Sequence, residues 1–118
     1  MKSELYEDEM ESKLIVDGCG TKRWRCGGIL HREGGPAVEY ANGEKIWYYM
    51  GKRHREDGPA AEYTNGSKFW FYHGEFHRED GPAIEYHDGS KNWYYHGRHL
   101  SCSSQYEFER LLGLKAFW

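Results

Sequence analysis

A triplet of histidine, arginine and glutamate recurs three times, and these residue types could do chemistry in two ways. An imidazole beside a carboxylate could act in acid–base catalysis, and a row of guanidinium groups could bind an acidic or phosphorylated partner. Alternatively, each arginine could pair with a glutamate of its own or the next copy, such as Glu39 or Glu62. Since a catalytic site is normally single, we favour this ion-pair ladder and predict that the chain is not an enzyme. The triplets are residues 31–33, 54–56 and 77–79.

Seven histidines and three cysteines raise the question of a metal site. His96, His99 and Cys102 have a spacing that zinc could use, and Cys19 and Cys26 add two thiols. However, Cys19 and Cys26 belong to the first hairpin of the expected array, far from Cys102, and the sequence has no Cys-x-x-Cys pair. We therefore predict no metal and no cofactor. The odd number of cysteines, without an apolar leader at the N-terminus, favours a reducing cytoplasm.

Aromatic residues interleaved with lysine and arginine could stack on the bases of a single-stranded nucleic acid. The chain has five tryptophans and ten tyrosines, but its formal net charge is -3. The acidic excess lies in the first eleven residues, so the rest is nearly neutral and lacks the positive field that nucleic acids and anionic membranes require. We expect the rings to form the core, and a nucleic-acid or nucleotide binder is the alternative. The sequence has no apolar run of about 18 residues, so no membrane span is expected.

These residues are carried by a 23-residue repeat. The first two full copies share 14 of 23 positions and the last two share 16. A degenerate half-copy precedes them, because Trp47 steps back by 23 residues to Trp24. We predict an acidic arm (1–13), a repeat domain (14–100) and a C-terminal cap (101–118). Within the repeat domain the half-copy is 14–30 and the full copies are 31–53, 54–76 and 77–99.

Each copy is predicted to be one β-hairpin. Asn-Gly and Asp-Gly pairs are typical of two-residue type I′ turns. With that turn, Val38 faces Trp47 and Glu39 faces Ile46 across the hairpin. One face would then carry Val38, Tyr40, Lys45, Trp47 and Tyr49, and the other Ala37, Glu39, Ile46 and Tyr48. The predicted turns are Asn42-Gly43, Asn65-Gly66 and Asp88-Gly89.

The chain ends with a different pattern. Ser104 and Glu107 form a capping-box signature, apolar residues follow at helical spacing, and Gly113 is expected to end the helix. This short helix, from about Ser104 to Leu112, would cover the edge of the last hairpin. The predicted fold is therefore mainly β, with tandem hairpins forming an elongated twisted antiparallel sheet that ends in a capping helix.

Positions that differ between copies are predicted to contact a partner, because stacked copies require matching residues where they pack. One such group lies on the variable face and another on its rim. The variable face comprises Ile46, Tyr48, Phe69, Phe71, Asn92 and Tyr94. The rim comprises Lys52, Arg53, Glu75 and Phe76.

The repeat resembles MORN-type units, which are β-hairpins of about 23 residues that align into an elongated sheet. The matching piece is Trp47-Tyr48-Tyr49-Met50-Gly51, and the resemblance covers residues 14–100. The form His-Arg-Glu-Asp-Gly-Pro-Ala resembles a variant common in bacteriophage and bacterial proteins, many of which end in a Ser-x-x-Glu-Phe helix, matched here by Ser104, Glu107 and Phe108.

This resemblance implies a protein-interaction scaffold without catalytic residues. For a bacteriophage protein it implies action in the host cytoplasm, on a host protein such as a defence component, as an inhibitor or adaptor. We expect a monomer or a weak homodimer.

Overall fold

The computed structural model describes residues 11–114, and most of the predicted acidic arm lies outside this range. The prediction of fold class is confirmed: the chain is mainly β and elongated, with a long antiparallel sheet and a short C-terminal helix. Its extents are 47 × 37 × 17 Å and its radius of gyration is 16.8 Å. A compact domain of this length would have a radius of gyration of about 13–14 Å.

The strands are short and most belong to one sheet. Its order is β1-β2-β4-β5-β8-β9-β12-β13-β14, with β3 beside β2, while β6–β7 and β10–β11 form separate two-stranded sheets. The strands are β1 (Lys13–Val16), β2 (Lys22–Cys26), β3 (Ile29–Leu30), β4 (Val38–Glu39), β5 (Lys45–Ile46), β6 (Tyr48–Tyr49), β7 (Lys52–Arg53), β8 (Ala61–Glu62), β9 (Lys68–Phe69), β10 (Phe71–Tyr72), β11 (Glu75–Phe76), β12 (Ile84–Glu85), β13 (Lys91–Tyr95) and β14 (Arg98–Leu100).

The predicted hairpin register is wrong by one residue. Val38 pairs with Ile46, not with Trp47. The reason lies in the turn, where Gly43 N–H donates to the Tyr40 carbonyl at 2.9 Å and Tyr40 N–H donates to the Glu44 carbonyl at 2.8 Å. Gly43 has a φ of 98°, while its predecessor stays out of the left-handed region. The connection is therefore a three-residue loop with a glycine bulge instead of a two-residue type I′ turn.

This slip exchanges the partners on the two faces of the sheet, because side chains alternate along a strand. Ile46 joins Val38 on one face, where both are buried. Lys45 pairs with Glu39, so alternation places Trp47 on the same face as Glu39. The predicted face that combined Val38 with Trp47 does not exist.

Two-residue type I′ turns do occur, but at the other end of each copy. Met50 and Gly51 have φ values of 50° and 84° and connect the paired residues Tyr49 and Lys52. The sequence interpretation treated this stretch as a connection between hairpins. Each full copy thus contains two hairpin turns. The second hairpins of the first two full copies, β6–β7 and β10–β11, form an outer row beside the long sheet, whereas β13–β14 of the third copy belongs to the long sheet itself. The equivalent turns are Met50-Gly51, His73-Gly74 and His96-Gly97.

The apolar face of the long sheet packs with rings of the outer hairpins. Phe71 is buried and stacks on Phe76 with ring centroids 4.3 Å apart. Phe76 also contacts Phe69 of the long sheet at 5.8 Å and Tyr94 at 5.0 Å. The contacts of these rings hold the β10–β11 hairpin against the long sheet.

The C-terminal helix α1 (Gln105–Leu114) completes the array. Its Phe108 is fully buried and packs with Trp93 and Leu100. The Trp93 indole N–H donates to Gln105 Oε1 at 2.9 Å. The helix continues beyond Gly113, which was predicted to end it. Among the described residues, no helix is long and apolar enough to cross a bilayer.

Candidate functional site

The repeated arginines join neighbouring copies. Each guanidinium lies over the tryptophan ring of the preceding copy, as Arg78 lies over Trp70 at 3.8 Å from the ring centroid. Each also donates a hydrogen bond to a glutamate of its own copy, as Arg78 does to Glu85 at 2.8 Å. The predicted ion-pair ladder is therefore confirmed. The equivalent sets are Arg32, Trp24 and Glu39, with Arg55, Trp47 and Glu62.

The repeated histidines hold the outer turns. His54 Nδ1 accepts a hydrogen bond from the N–H of His73 at 3.0 Å, and His77 Nδ1 accepts one from His96 at 2.9 Å. His31 Nδ1 accepts the N–H of Met50 at 2.9 Å in the same way. An imidazole that accepts at Nδ1 carries its proton on Nε2. We call these three hydrogen bonds the histidine locks.

The Nε2 side of each histidine faces the glutamate two residues later. His54 Nε2 is 3.4 Å from Glu56 and His77 Nε2 is 3.3 Å from Glu79. His31 is fully buried, and its Nε2 has no hydrogen-bond partner, with Glu33 at 3.9 Å. The functional atoms of this triplet are thus largely committed to the fold.

A groove of about 720 Å³ lies between the triplet loops of the second and third full copies. We call it the acidic groove. The rings of Trp70, Tyr72 and His77 line it, and charged loop residues form its two walls. One wall comprises Arg55, Glu56, Asp57 and Gly58, and the other Arg78, Glu79 and Asp80.

The exposed charge of this groove is negative. The carboxylate side chains of Glu56, Asp57, Glu79 and Asp80 are 68–88% exposed. The two arginine side chains are only 23% and 20% exposed. Each arginine is shared between an aspartate of the groove and a glutamate outside it, as Arg78 is between Asp80 and Glu85. The groove therefore contains more carboxylates than guanidinium groups, and its carboxylates are the more exposed of the two, although Asp57 and Asp80 are paired with its arginines. The groove residues that carry charge are Arg55, Glu56, Asp57, Arg78, Glu79 and Asp80.

Sequence reasoning missed these carboxylates because it assigned repeated residues to packing. Glu56 and Glu79 occupy identical positions in their copies, and so do Asp57 and Asp80, yet all four are exposed. The available signal was the composition of the loop, which has two carboxylates for each arginine. In the first full copy Gly34 replaces the aspartate, so the loop loses one negative charge.

The predicted contact residues fall into three environments. Ile46 and Phe71 are buried, so their side chains belong to the core instead of a contact surface. Three residues of the outer hairpins are exposed and two of them are basic. The half-buried members are Tyr48, Phe69, Asn92, Tyr94 and Phe76, and the exposed members are Lys52, Arg53 and Glu75.

The structure brings only part of this set together. Phe69, Phe71, Phe76 and Tyr94 form one aromatic cluster, and the exposed residues lie on β7 and β11 of the outer row. As a partner-binding set these residues stay a prediction.

The histidine and cysteine pattern that suggested zinc has other contacts. His96 stacks on His77 with ring centroids 4.0 Å apart, and His99 contacts Tyr94 at 5.2 Å. Cys102 packs against the core that α1 covers. Within residues 11–114, no group of three or more histidine, cysteine, aspartate or glutamate side chains is placed to hold a metal ion.

No protein-family model, curated protein or solved structure matches the chain.

Proposed function

We propose that this chain is a non-catalytic protein-binding module and that the acidic groove receives a basic segment of its partner. One observation carries the proposal: the groove contains four largely exposed carboxylates against two mostly buried arginines, so its charge is negative. Lysine and arginine side chains complement this charge.

The commitment of the histidines supports a non-catalytic role. A general base needs an imidazole nitrogen that can take a proton from a substrate. In His54 and His77, Nδ1 accepts a backbone N–H and Nε2 faces a glutamate. Catalysis at these positions would require breaking the fold's own hydrogen bonds.

The charge of the groove weighs against the alternative of a nucleic-acid or nucleotide binder. Phosphates would meet the exposed carboxylates, and the arginines that could bind them are stacked and paired. One face of the Trp47 ring is covered by Arg55 and one face of the Trp70 ring by Arg78, so those faces cannot stack on a base.

The resemblance noted above adds the nature of the partner to this proposal. It implies a host protein, such as a defence component, bound in the cytoplasm of a bacterial host. The chain would act there as an inhibitor or adaptor through its surface alone.

Fluorescence anisotropy with a labelled arginine-rich peptide tests the groove. We expect binding, and the double variant Glu56→Gln/Glu79→Gln should weaken it by about 5–10-fold, since rim charge pairs contribute modestly. Glu33→Gln is the matched control, because Glu33 has the same position in the first copy and lies outside the groove. Equal losses from the control and the double variant would refute the groove as the binding site.

A single-stranded oligonucleotide provides the opposing measurement. Binding of that probe in preference to the peptide, with a steep loss at high salt, would replace this proposal with the nucleic-acid alternative. Affinity capture with the wild type and the double variant in parallel would then identify proteins that depend on the groove.

A further inference from the structure

The outer turns are tied to the rest of the molecule by their own backbone N–H groups. In the turn His73-Gly74, the first N–H donates to His54 Nδ1 at 3.0 Å and the second donates to the Arg53 carbonyl at 2.8 Å. The turn His96-Gly97 repeats this, with His77 Nδ1 at 2.9 Å and the Phe76 carbonyl at 2.8 Å. In each turn, one of the two hydrogen-bond acceptors is therefore a backbone carbonyl and the other is a titratable side chain.

These two kinds of acceptor respond differently to acid. A carbonyl accepts a hydrogen bond at any pH, but Nδ1 accepts one only while it carries no proton. Protonation would set an N–H of the ring against the N–H of the turn, so the hydrogen bond is lost. The turn amide would lose its acceptor, in a part-buried position at Met50 and His73 and in an exposed one at His96.

We propose that the three histidine locks form an acid-sensitive device, in which protonation of His31, His54 and His77 releases the turns that they hold. The same contact recurs in all three full copies. A single fall in pH can therefore act at three places along the array.

The first residue of each turn depends on its lock. Met50, His73 and His96 have φ values of 50°, 49° and 47°, a left-handed conformation that is unfavourable for an ordinary side chain. The lock offsets part of this strain by supplying an acceptor for the amide of the strained residue. Loss of the acceptor leaves the strain without that compensation.

Charged and titratable neighbours act on each lock in both directions. Glutamate favours the protonated imidazole, whereas burial and a second histidine oppose it. For His77, burial lowers the pKa most and the charge of His96 lowers it further, while Glu79 and Glu75 raise it. The groups facing His77 are Glu79, Glu75, His96, Tyr72 and Tyr95; those facing His54 are Glu56, His73, Tyr49 and Tyr72; those facing His31 are Glu33 and Tyr49.

The direction of the pH effect follows from the lowered pKa of His77. A histidine whose folded-state pKa is depressed binds protons more readily once its hairpin is released. Its contribution to stability is present above the ordinary histidine pKa of about 6.5 and is lost as the pH falls. The turn that His77 holds should thus be closed at neutral pH and released in mild acid.

Release would expose the aromatic cluster. The β10–β11 hairpin carries Phe71 and Phe76, which contact Phe69 and Tyr94 across the two layers. An environment-sensitive dye that binds exposed apolar surface should therefore report the released state.

Nuclear magnetic resonance of the wild-type protein tests the locks directly. At pH 7.5, ¹⁵N spectra of the imidazoles should show the Nε2–H tautomer for His31, His54 and His77. Between pH 7.5 and 5.0, protection of the Met50, His73 and His96 amides against hydrogen exchange, corrected for intrinsic rates, should fall about ten-fold. Nδ1–H tautomers, or unchanged protection, would overturn the proposal.

Substitution separates the lock from general acid sensitivity. In His54→Asn/His77→Asn, the asparagine amide oxygen can accept the same N–H but does not titrate. We expect the fall in Tm between pH 7.5 and 5.0 to shrink to less than half of the wild-type value. His87→Asn is the control, because His87 is exposed and precedes the turn glycine Gly89 of another loop. An undiminished fall in the double variant, or an equal effect of the control, would overturn the proposal.

Discussion

Arg78 shows how closely one side chain can pack between copies. Its guanidinium lies over the Trp70 ring on one side and approaches Gly81 on the other. A Cβ atom at Gly81 would lie 2.5 Å from Cζ of Arg78. A side chain at this position would therefore have to displace the guanidinium, and a similar close approach, with a distance of 2.9 Å, recurs at Gly35 and Gly58.

Replacing Gly81 by alanine tests this packing. Gly81→Ala should displace Arg78 from Trp70 and destabilise the protein by about 1–2 kcal/mol, measured by urea unfolding. Gly18→Ala is the matched control, because a Cβ there would meet nothing within 4 Å. It should change stability by less than about 0.5 kcal/mol. Equal effects of the two variants would contradict the packing described for Arg78.

Two neighbouring rings on opposite faces give a second prediction at this scale. Phe71 is buried in the aromatic cluster, whereas Trp70 is half-buried in the acidic groove. Phe71→Ala should lower the unfolding free energy by about 3–5 kcal/mol and Trp70→Ala by about 1–2 kcal/mol. From the sequence, Phe71 is instead expected on a partner-contact face, where its loss would cost little stability. If Phe71→Ala does not fold, Phe71→Leu and Trp70→Leu permit the same comparison in urea.

At the scale of the elements, hairpins and a terminal helix could be predicted from sequence, but the register could not. Asn42-Gly43 fits a type I′ turn and also fits a type I turn followed by a glycine bulge. The pair alone does not decide between them, and one residue of difference exchanges the faces.

The second turn was missed for a different reason. A type I′ turn normally begins with asparagine, aspartate or glycine, and these turns begin with Met50, His73 and His96. Their left-handed conformation is supported by a histidine 19 residues earlier in the chain. A contact between residues so far apart in the chain leaves no signal in the local sequence. The acidic groove was missed for a related reason, because it forms between two copies and not within one.

The helix α1 offers a direct test of capping. Phe108 is fully buried against Trp93 and Leu100, while Tyr106 is 72% exposed on the same helix. Phe108→Ala should destabilise the protein by about 3–5 kcal/mol, and Tyr106→Ala by less than about 0.5 kcal/mol. Thermal unfolding followed by circular dichroism measures both. A small effect of Phe108→Ala would mean that the last hairpin does not need its cover.

For the whole molecule, elongation is the property that distinguishes this chain from a compact domain of equal length. Small-angle X-ray scattering at neutral pH should give a radius of gyration well above the 13–14 Å or so of a compact fold, near the 16.8 Å of the structure. A value at the compact limit would contradict the extended arrangement of the copies.

The array ends where two residues of the repeat are replaced. A step of 23 residues from His77 and Arg78 arrives at Leu100 and Ser101, so Trp93 receives the helix in place of an arginine. The number of copies is therefore independent of the cap. A duplicate of residues 54–76 inserted after Phe76 would add two strands to the long sheet and lengthen it by about 9–10 Å. It would also place the same acidic walls side by side once more and create a second groove. Valency could thus change by duplication alone, and a partner with two basic segments at matching distance would gain avidity without any new kind of contact.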